Sequence, residues 1–305
     1  MNLELLKSLC EIRSPSGEEL PMKEFIARYV RRHSGSWSCR PEIIQGPDFQ
    51  DCIMLRFGVP RVAAVAHMDT TGLCVRHESQ LIAIGSPEVR NGDVLVGTDR
   101  RGEVECRAWY DGDDRLYHDF GRVVERGTSL VFKANFQRRG RTVISPYLDN
   151  RAGIAVLLEL AQSLQNGLLV FSCWEEHGGG SMPYLCRYMY ENWGIKRALI
   201  SDVTWSTDAV LPGQGVVVSL RDRRIPRRSF VNHILELAGN SGIPHQVEVE
   251  AVGSSDGREI QQAPYPIDWC FIGLACSDGH SAVESVHLDD FKSALQIYRI
   301  LMDLL

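Results

Sequence analysis

Hydrophobic positions along the chain repeat with two different periods, and the change of period divides the chain into three stretches. Helical spacing marks the first stretch, in LELLKSLCEI and EELPMKEFIARYVRRH, and the apolar run VAAVAH (62–67) follows it. A short run of this kind is typical of a buried parallel strand. From about residue 76 to 143, strand-like segments such as LIAIG, DVLVG and SLVFKANF alternate with turn signals, without a long helical pattern. This middle stretch predicts a small β-domain inserted into a larger unit.

From residue 144 onward, helical and strand patterns alternate. The patterns NRAGIAVLLELAQSLQ, RRSFVNHILELAGNSG and DDFKSALQIYRILMDLL have helical spacing, and GLLVFSCWEE, RALISDV and DWCFIGL contain apolar strand runs. Alternating strands and helices predict a largely parallel sheet with helices on both faces. We therefore expect an α/β fold with a catalytic unit formed by 1–75 and 144–305 and a barrel-like β-domain at 76–143.

Charge and composition exclude several classes of partner. The formal net charge of -6 gives the chain no electrostatic reason to bind nucleic acid or an anionic membrane. No apolar run approaches the roughly 20 residues that span a bilayer, and the N-terminus lacks the pattern of a signal peptide. The nine cysteines are scattered and include no CxxC pair, which favours reduced thiols in a cytoplasmic protein.

Histidine and acidic residues follow four of the apolar runs, and a fifth acid lies at the start of a predicted helix. The set comprises His67, Asp69, Asp149, Glu175, Glu176, Asp202 and His280. Any one of them alone is more often a solvated strand end, a structural histidine or a helix cap. Functional groups of parallel sheets gather at the carboxyl ends of the strands, so we expect these side chains to meet.

The residue types in this set suit a metal-dependent hydrolase. Imidazole and carboxylate are ligands for zinc, cobalt or manganese, and one bridging carboxylate can hold two cations. A carboxylate that binds no metal must then transfer the proton, so adjacent Glu175 and Glu176 could divide these roles. Asp69, two residues after His67, fits a residue that orients the imidazole from behind.

Five segments with these residues resemble the motifs of the glutamyl and deblocking aminopeptidases, which are dinuclear metallopeptidases. The segments are AHMDTTG, SPYLDNRAG, WEEHGGG, ISDV and HSAVES, and the resemblance covers nearly the whole chain. It implies a zinc-peptidase fold with a β-domain between the first two ligands, a peptide substrate and a homo-oligomer. It also implies two divalent metal ions per subunit, with zinc or cobalt favoured over manganese.

The resemblance implies a role for each residue of the set. His67 and Asp202 would hold one metal, Glu176 and His280 the other, and Asp149 both. Glu175 would be the general base, and Asp69 would orient His67.

Other features leave alternatives open. His177 and Asp278 depart from the family pattern. His177 could contact substrate or act as a spare ligand, although a polar residue at the rim fits it better, and Asp278 could compete as a metal ligand. In the β-domain we expect an exposed His118 and no metal ligand. The same metals and base would also serve a deacylase of N-acyl amino acids. Only the pocket would differ, because a deacylase needs a cationic group there to bind the carboxylate of its substrate. A non-catalytic relative that kept the fold is the third alternative.

Overall fold

A computed structural model describes all 305 residues and divides them between a large sheet flanked by helices and a small closed barrel. The helices are α1 (Leu3–Cys10), α2 (Leu20–His33), α3 (Leu148–Leu160), α4 (Met182–Trp193), α5 (Arg228–Ser241), α6 (Gly257–Gln262) and α7 (Leu288–Leu304). The strands up to the end of the barrel are β1 (Glu42–Ile44), β2 (Ile53–Phe57), β3 (Ala63–His67), β4 (Gly72–His77), β5 (Gln80–Ile84), β6 (Val94–Asp99), β7 (Gly102–Tyr110), β8 (Leu116–His118) and β9 (Ser129–Phe132). The later strands are β10 (Gln137–Arg139), β11 (Thr142–Ile144), β12 (Gly167–Ser172), β13 (Arg197–Ile200), β14 (Val203–Trp205), β15 (Val216–Ser219), β16 (His245–Glu248), β17 (Asp268–Ser277) and β18 (Ser285–His287).

Four parallel strands form the centre of the large sheet, in the order β12, β3, β13, β17. Every residue of β3 is buried, as its continuous apolar run predicts for a strand covered on both faces. Because β12 and β13 flank β3 in parallel register, the residues that follow these three strands lie at one edge of the sheet. The predicted α/β fold with a mostly parallel sheet is confirmed.

The sheet and its helices share one large hydrophobic core, and the barrel has a separate one. Strands β4, β5, β8, β7, β6 and β9 close the barrel, whose core is a cluster of 12 buried residues. The barrel strands run from Gly72 to Phe132. Strand β11, at the end of the expected range 76–143, instead pairs with β18 of the large sheet, and β10 pairs with β11. The strand pattern was visible in the sequence, but the pairing partner of a short strand was not.

One expectation about the barrel is wrong. His118 is 3% exposed instead of lying at the surface. It ends β8, and its Nδ1 accepts a hydrogen bond from the backbone N–H of Phe120 at 3.2 Å. The surrounding turn residues suggested exposure, but the alternation of β8 directs this side chain into the barrel.

Two further features concern the cysteines and the character of the helices. All nine cysteines are unpaired, and seven of them are buried. No helix has both the length and the apolar character required to cross a membrane.

Candidate metal centre

The predicted site residues meet at the carboxyl edge of the central strands. His67 is the last residue of β3, Glu175 and Glu176 form the short turn after β12, and Asp202 follows β13. Asp149 lies in the first turn of α3, and its peptide bond to the next residue is cis. His280 follows the long strand β17.

The carboxylate of Asp149 lies between two histidines. Its Oδ1 is 3.1 Å from Nε2 of His67, and its Oδ2 is 3.3 Å from Nε2 of His280. The two oxygens therefore face two different imidazole rings, which is the arrangement that a carboxylate shared by two cations requires.

Each histidine also faces a second carboxylate. Nε2 of His67 is 3.5 Å from Oδ1 of Asp202, and Nε2 of His280 is 3.3 Å from Oε2 of Glu176. Ligand atoms of His67, Asp149 and Glu176 all lie within 4.8 Å of one another. The five side chains thus form two groups, each with one imidazole and one carboxylate of its own, around the common Asp149.

Asp69 supports this arrangement from behind. Its Oδ1 lies 3.5 Å from Nδ1 of His67, and the Asp69 carbonyl lies 3.2 Å from the same nitrogen. Its carboxylate also accepts hydrogen bonds from the backbone N–H groups of Glu175 at 3.1 Å and Glu176 at 3.0 Å. The Ser16 hydroxyl also donates a hydrogen bond to this carboxylate, at 2.6 Å, and fixes its position. One buried aspartate therefore connects the first histidine to the turn that carries both glutamates.

The barrel supports the second histidine. Nδ1 of His280 lies 3.0 Å from the hydroxyl of Ser86 and 3.1 Å from the Ser86 carbonyl. The His280 carbonyl accepts the N–H of Glu88 at 2.9 Å. His280 also has a left-handed backbone, with φ of 61°. The loop between β5 and β6 thus holds both the ring and the backbone of this residue.

Burial and mutual repulsion govern the charges of the site. Burial, followed by the charge of Asp149, raises the pKa of Glu176 to about 8. The same two causes raise the pKa of Asp202. Burial opposes ionisation of Asp149, but hydrogen bonds from His280 and His67 keep its pKa below the usual range. Carboxylates that repel one another in a buried site are stabilised by a positive charge placed among them.

The chain also offers a ligand atom without a protein partner. Oε1 of Glu176 is buried and has no hydrogen-bond partner. Buried carboxylate oxygens are otherwise hydrogen-bonded, so an unpaired one beside two histidines fits a metal ligand. Residues and site are therefore compatible with divalent cations.

The sequence match decides the family. The profile of the M42 glutamyl aminopeptidases matches residues 111–297, more than half of the chain. The chain belongs to the M42 peptidase family. The resemblance inferred from the motifs is thereby confirmed. The matched range includes Asp149, the two glutamates, Asp202 and His280, whereas His67 and Asp69 precede it.

Two curated relatives match the chain along most of its length. FrvX of Escherichia coli strain K12 is 28% identical over 301 residues, which cover 84% of this chain and 82% of FrvX. A protein of Acetivibrio thermocellus is 25% identical over 330 residues and covers 96% of both chains. Both names carry the word aminopeptidase.

Solved structures share the fold of this M42 chain. Aminopeptidase APDkam598 from Desulfurococcus kamchatkensis superposes with a TM-score of 0.86 at 22% identity, covering 98% of this chain and 93% of its own. TET1 of Pyrococcus horikoshii, solved as a dodecamer, superposes with a TM-score of 0.84 at 21% identity over the full length of both chains. At these identities the likeness establishes the fold.

Two buried residues of the M42 site had no role in the sequence interpretation. Glu284 accepts the backbone N–H of Asp149 at 2.9 Å. Arg151 is fully buried and donates to the Met68 carbonyl and to the Ser14 hydroxyl, both at 2.6 Å. Glu284 lies in the segment HSAVES, and Arg151 lies in the segment SPYLDNRAG. A charged residue within each of these motifs was the signal in the sequence that could have identified them as part of the site.

The two residues that depart from the family pattern have partners in the barrel. Nδ1 of His177 accepts the N–H of Gly85 at 2.8 Å, next to the loop that holds His280. Asp278 is half-exposed and pairs with Arg90 at 3.3 Å. The contacts in this structure give both residues an interdomain role at the rim.

Proposed function

We propose that this M42 protein is a dinuclear metallo-aminopeptidase that removes the N-terminal residue of peptides. The main support is the position of the Asp149 carboxylate, which faces His67 with one oxygen and His280 with the other. The proposal assigns His67 and Asp202 to one cation, His280 and Glu176 to the other, and Asp149 to both. The ligand set suits zinc or cobalt, and manganese fits the carboxylates as well.

Bound cations in such a site polarise the scissile carbonyl and make water a better nucleophile. The chain itself must hold the transferred proton, and the proposal gives this role to the carboxylate of Glu175. Glu175 lines the cleft, and its backbone N–H is fixed by Asp69 at 3.1 Å. Burial raises the pKa of Glu175 well above its ordinary value, which favours holding a proton between its removal from water and its delivery to the leaving amine.

A cleft of about 410 Å³ beside the site can receive the substrate. Its lining includes Glu175 and Asp202, together with the rings of Trp205 and Phe271. A cleft of this size accommodates a residue or a short peptide, and acidic groups next to the ligands suit a free α-amine.

The proposal also includes self-association of the chain. One TET1 structure contains a dodecamer, and TET1 of Pyrococcus horikoshii can assemble into a tetrahedron or a large octahedral shell. We infer that this chain also forms a homo-oligomer, and sedimentation at micromolar concentration tests it, since a strictly monomeric species contradicts the inference.

The nine unpaired cysteines favour a reducing compartment such as the cytoplasm.

Metal analysis combined with a substrate panel tests the function. The purified protein, loaded with zinc, cobalt or manganese and desalted, should retain close to two equivalents per subunit and hydrolyse aminoacyl-anilides. N-acyl amino acids serve as the contrasting substrates. Saturation at one equivalent contradicts the dinuclear site, and preferential cleavage of the N-acyl compounds supports the deacylase instead. A metal-loaded protein that cleaves neither class supports the non-catalytic alternative.

A further inference from the structure

A serine hydroxyl fixes one of the proposed ligands beside His67. The Ser255 hydroxyl donates a hydrogen bond to Oδ2 of Asp202 at 2.6 Å. The other oxygen of this carboxylate, Oδ1, accepts the backbone N–H of Val203 at 2.8 Å and lies 3.5 Å from Nε2 of His67. Asp202 and Ser255 are both buried. The carboxylate is therefore held at both oxygens, with Oδ1 on the side of the histidine.

The segment that carries Ser255 has a fixed position of its own. The next residue, Asp256, is buried, and its Oδ2 accepts the hydroxyl of Ser172, the last residue of β12, at 2.6 Å. Gly257 lies so close to Trp269 of β17 that a Cβ at this glycine would approach the indole to 2.4 Å. Contacts with two strands of the large sheet thus fix the segment, and the hydroxyl of Ser255 is placed by this packing.

Ser255 also lines the cleft, a position that suits contact with a substrate. A serine has a single donor hydrogen, however, and in this structure the carboxylate of Asp202 accepts it. An O–H donor stabilises the negative charge of a buried carboxylate, and the charged form is the one that binds a cation. The hydroxyl therefore serves the ligand rather than the substrate.

We propose that Ser255 is a positioning residue for the cation assigned to His67 and Asp202. This inference rests on the proposed function and deepens it. By holding Oδ2 of Asp202, Ser255 keeps Oδ1 directed towards the side of His67. The other cation is assigned to His280 and Glu176, and neither of these side chains forms a hydrogen bond with Ser255. The effect of Ser255 is thus confined to one of the two metals.

Metal affinity tests the inference independently of activity. The wild-type protein and Ser255→Ala are loaded with zinc and titrated with a chelator, and elemental analysis measures the metal that each retains. Ser255→Ala should bind one equivalent about 10- to 100-fold more weakly, the range for residues that orient a ligand, and should bind the other with unchanged affinity.

Ser293→Ala is the matched control. Ser293 of α7 is a buried serine like Ser255. Its hydroxyl forms hydrogen bonds only with backbone groups, namely the N–H of Val216 and the carbonyls of Asp289 and Asp290. Loss of this hydroxyl should leave the affinity for both equivalents unchanged.

Double substitutions separate positioning from a general loss of structure. Added to Asp202→Ala, Ser255→Ala should have no further effect on metal affinity, because the carboxylate that it holds is absent. Added to Glu176→Gln, it should weaken the equivalent that Glu176→Gln leaves intact, so that both are bound weakly. A general structural defect would lower metal affinity in both backgrounds.

Three results overturn the inference while leaving the proposed function intact. In the first, Ser255→Ala retains both equivalents as the wild-type protein does. In the second, it weakens both to the same extent. In the third, it weakens metal binding further in the Asp202→Ala background.

Failure of the proposed function has a different signature, because it is seen in the wild-type protein. A wild-type protein that retains no metal overturns the proposed function and the inference with it. Saturation of the wild-type protein at one equivalent overturns the dinuclear site alone. In that case Asp202→Ala and Ser255→Ala must both weaken the single equivalent, and any other result overturns the role of Ser255.

Discussion

Ser86, in a loop of the barrel, holds the ring of His280 through both its hydroxyl and its carbonyl, at 3.0 and 3.1 Å from Nδ1. With the Nδ1 proton donated to Ser86, the lone pair of Nε2 is directed at Asp149 and Glu176. The barrel therefore contributes to the orientation of a proposed ligand, although it supplies no ligand itself. Such hydrogen bonds behind a histidine fix its tautomer and increase its affinity for a metal.

We expect Ser86→Ala to weaken metal binding by about 10-fold, the lower end of the range for residues that support a ligand, because the Ser86 carbonyl remains. Competition with a chelator, monitored by elemental analysis, measures this effect independently of activity. Ser79→Ala is the control in the same barrel, since the Ser79 side chain makes no hydrogen bond. Equal metal affinity of the two variants contradicts a positioning role for Ser86.

The shared position of Asp149 predicts an effect on both metals. Asp149→Ala should reduce retention of both equivalents, because this carboxylate faces both histidines. Asp202→Ala should reduce the retention of one, since Asp202 lies beside His67 only. Metal titration with elemental analysis compares the two variants. If Asp149→Ala retains one equivalent with normal affinity, Asp149 does not bridge.

Adjacent Glu175 and Glu176 should respond differently to the same substitution. Glu175→Gln removes the proton acceptor and should lower kcat roughly 10²–10⁴-fold, the usual range for a general base, while two metals stay bound. Glu176→Gln should weaken one metal site, and added metal should partly restore its activity. The measurements are kcat and metal content at several metal concentrations. Metal loss in the Glu175 variant, with retention in the Glu176 variant, reverses the assignment.

The sequence predicted the parts of the molecule that depend on local pattern. The continuous apolar run before His67 indicated a buried strand, and parallel strands bring their carboxyl ends together, so the meeting of distant ligands was predictable. Contacts that depend on tertiary packing could not be predicted in this way. Ser86 approaches His280 only because the barrel folds back on the sheet, across 194 residues of sequence. His118 was misjudged for the same reason, since its burial depends on the closure of the barrel.

The last prediction concerns Glu19, which supports the turn of the glutamates and is 1% exposed. Its Oε1 accepts the N–H groups of Gly17 at 2.9 Å and Trp174 at 3.1 Å, so a glutamine carbonyl can accept both. Burial raises the pKa of Glu19 from 4.5 to about 7. The folded state thus binds this proton more tightly than the unfolded state, and the corresponding stability, complete below pH 4.5, is lost as the pH rises through 7. Glu19→Gln mimics the protonated form, so its advantage in the free energy of unfolding should grow across this interval to at most roughly 3 kcal/mol and then level off. Urea denaturation of both proteins between pH 4.5 and 8 measures the difference, and Glu4→Gln, at an exposed position of α1, is the control. A difference that is constant with pH, or that shrinks as the pH rises, contradicts a buried Glu19 that titrates near neutrality.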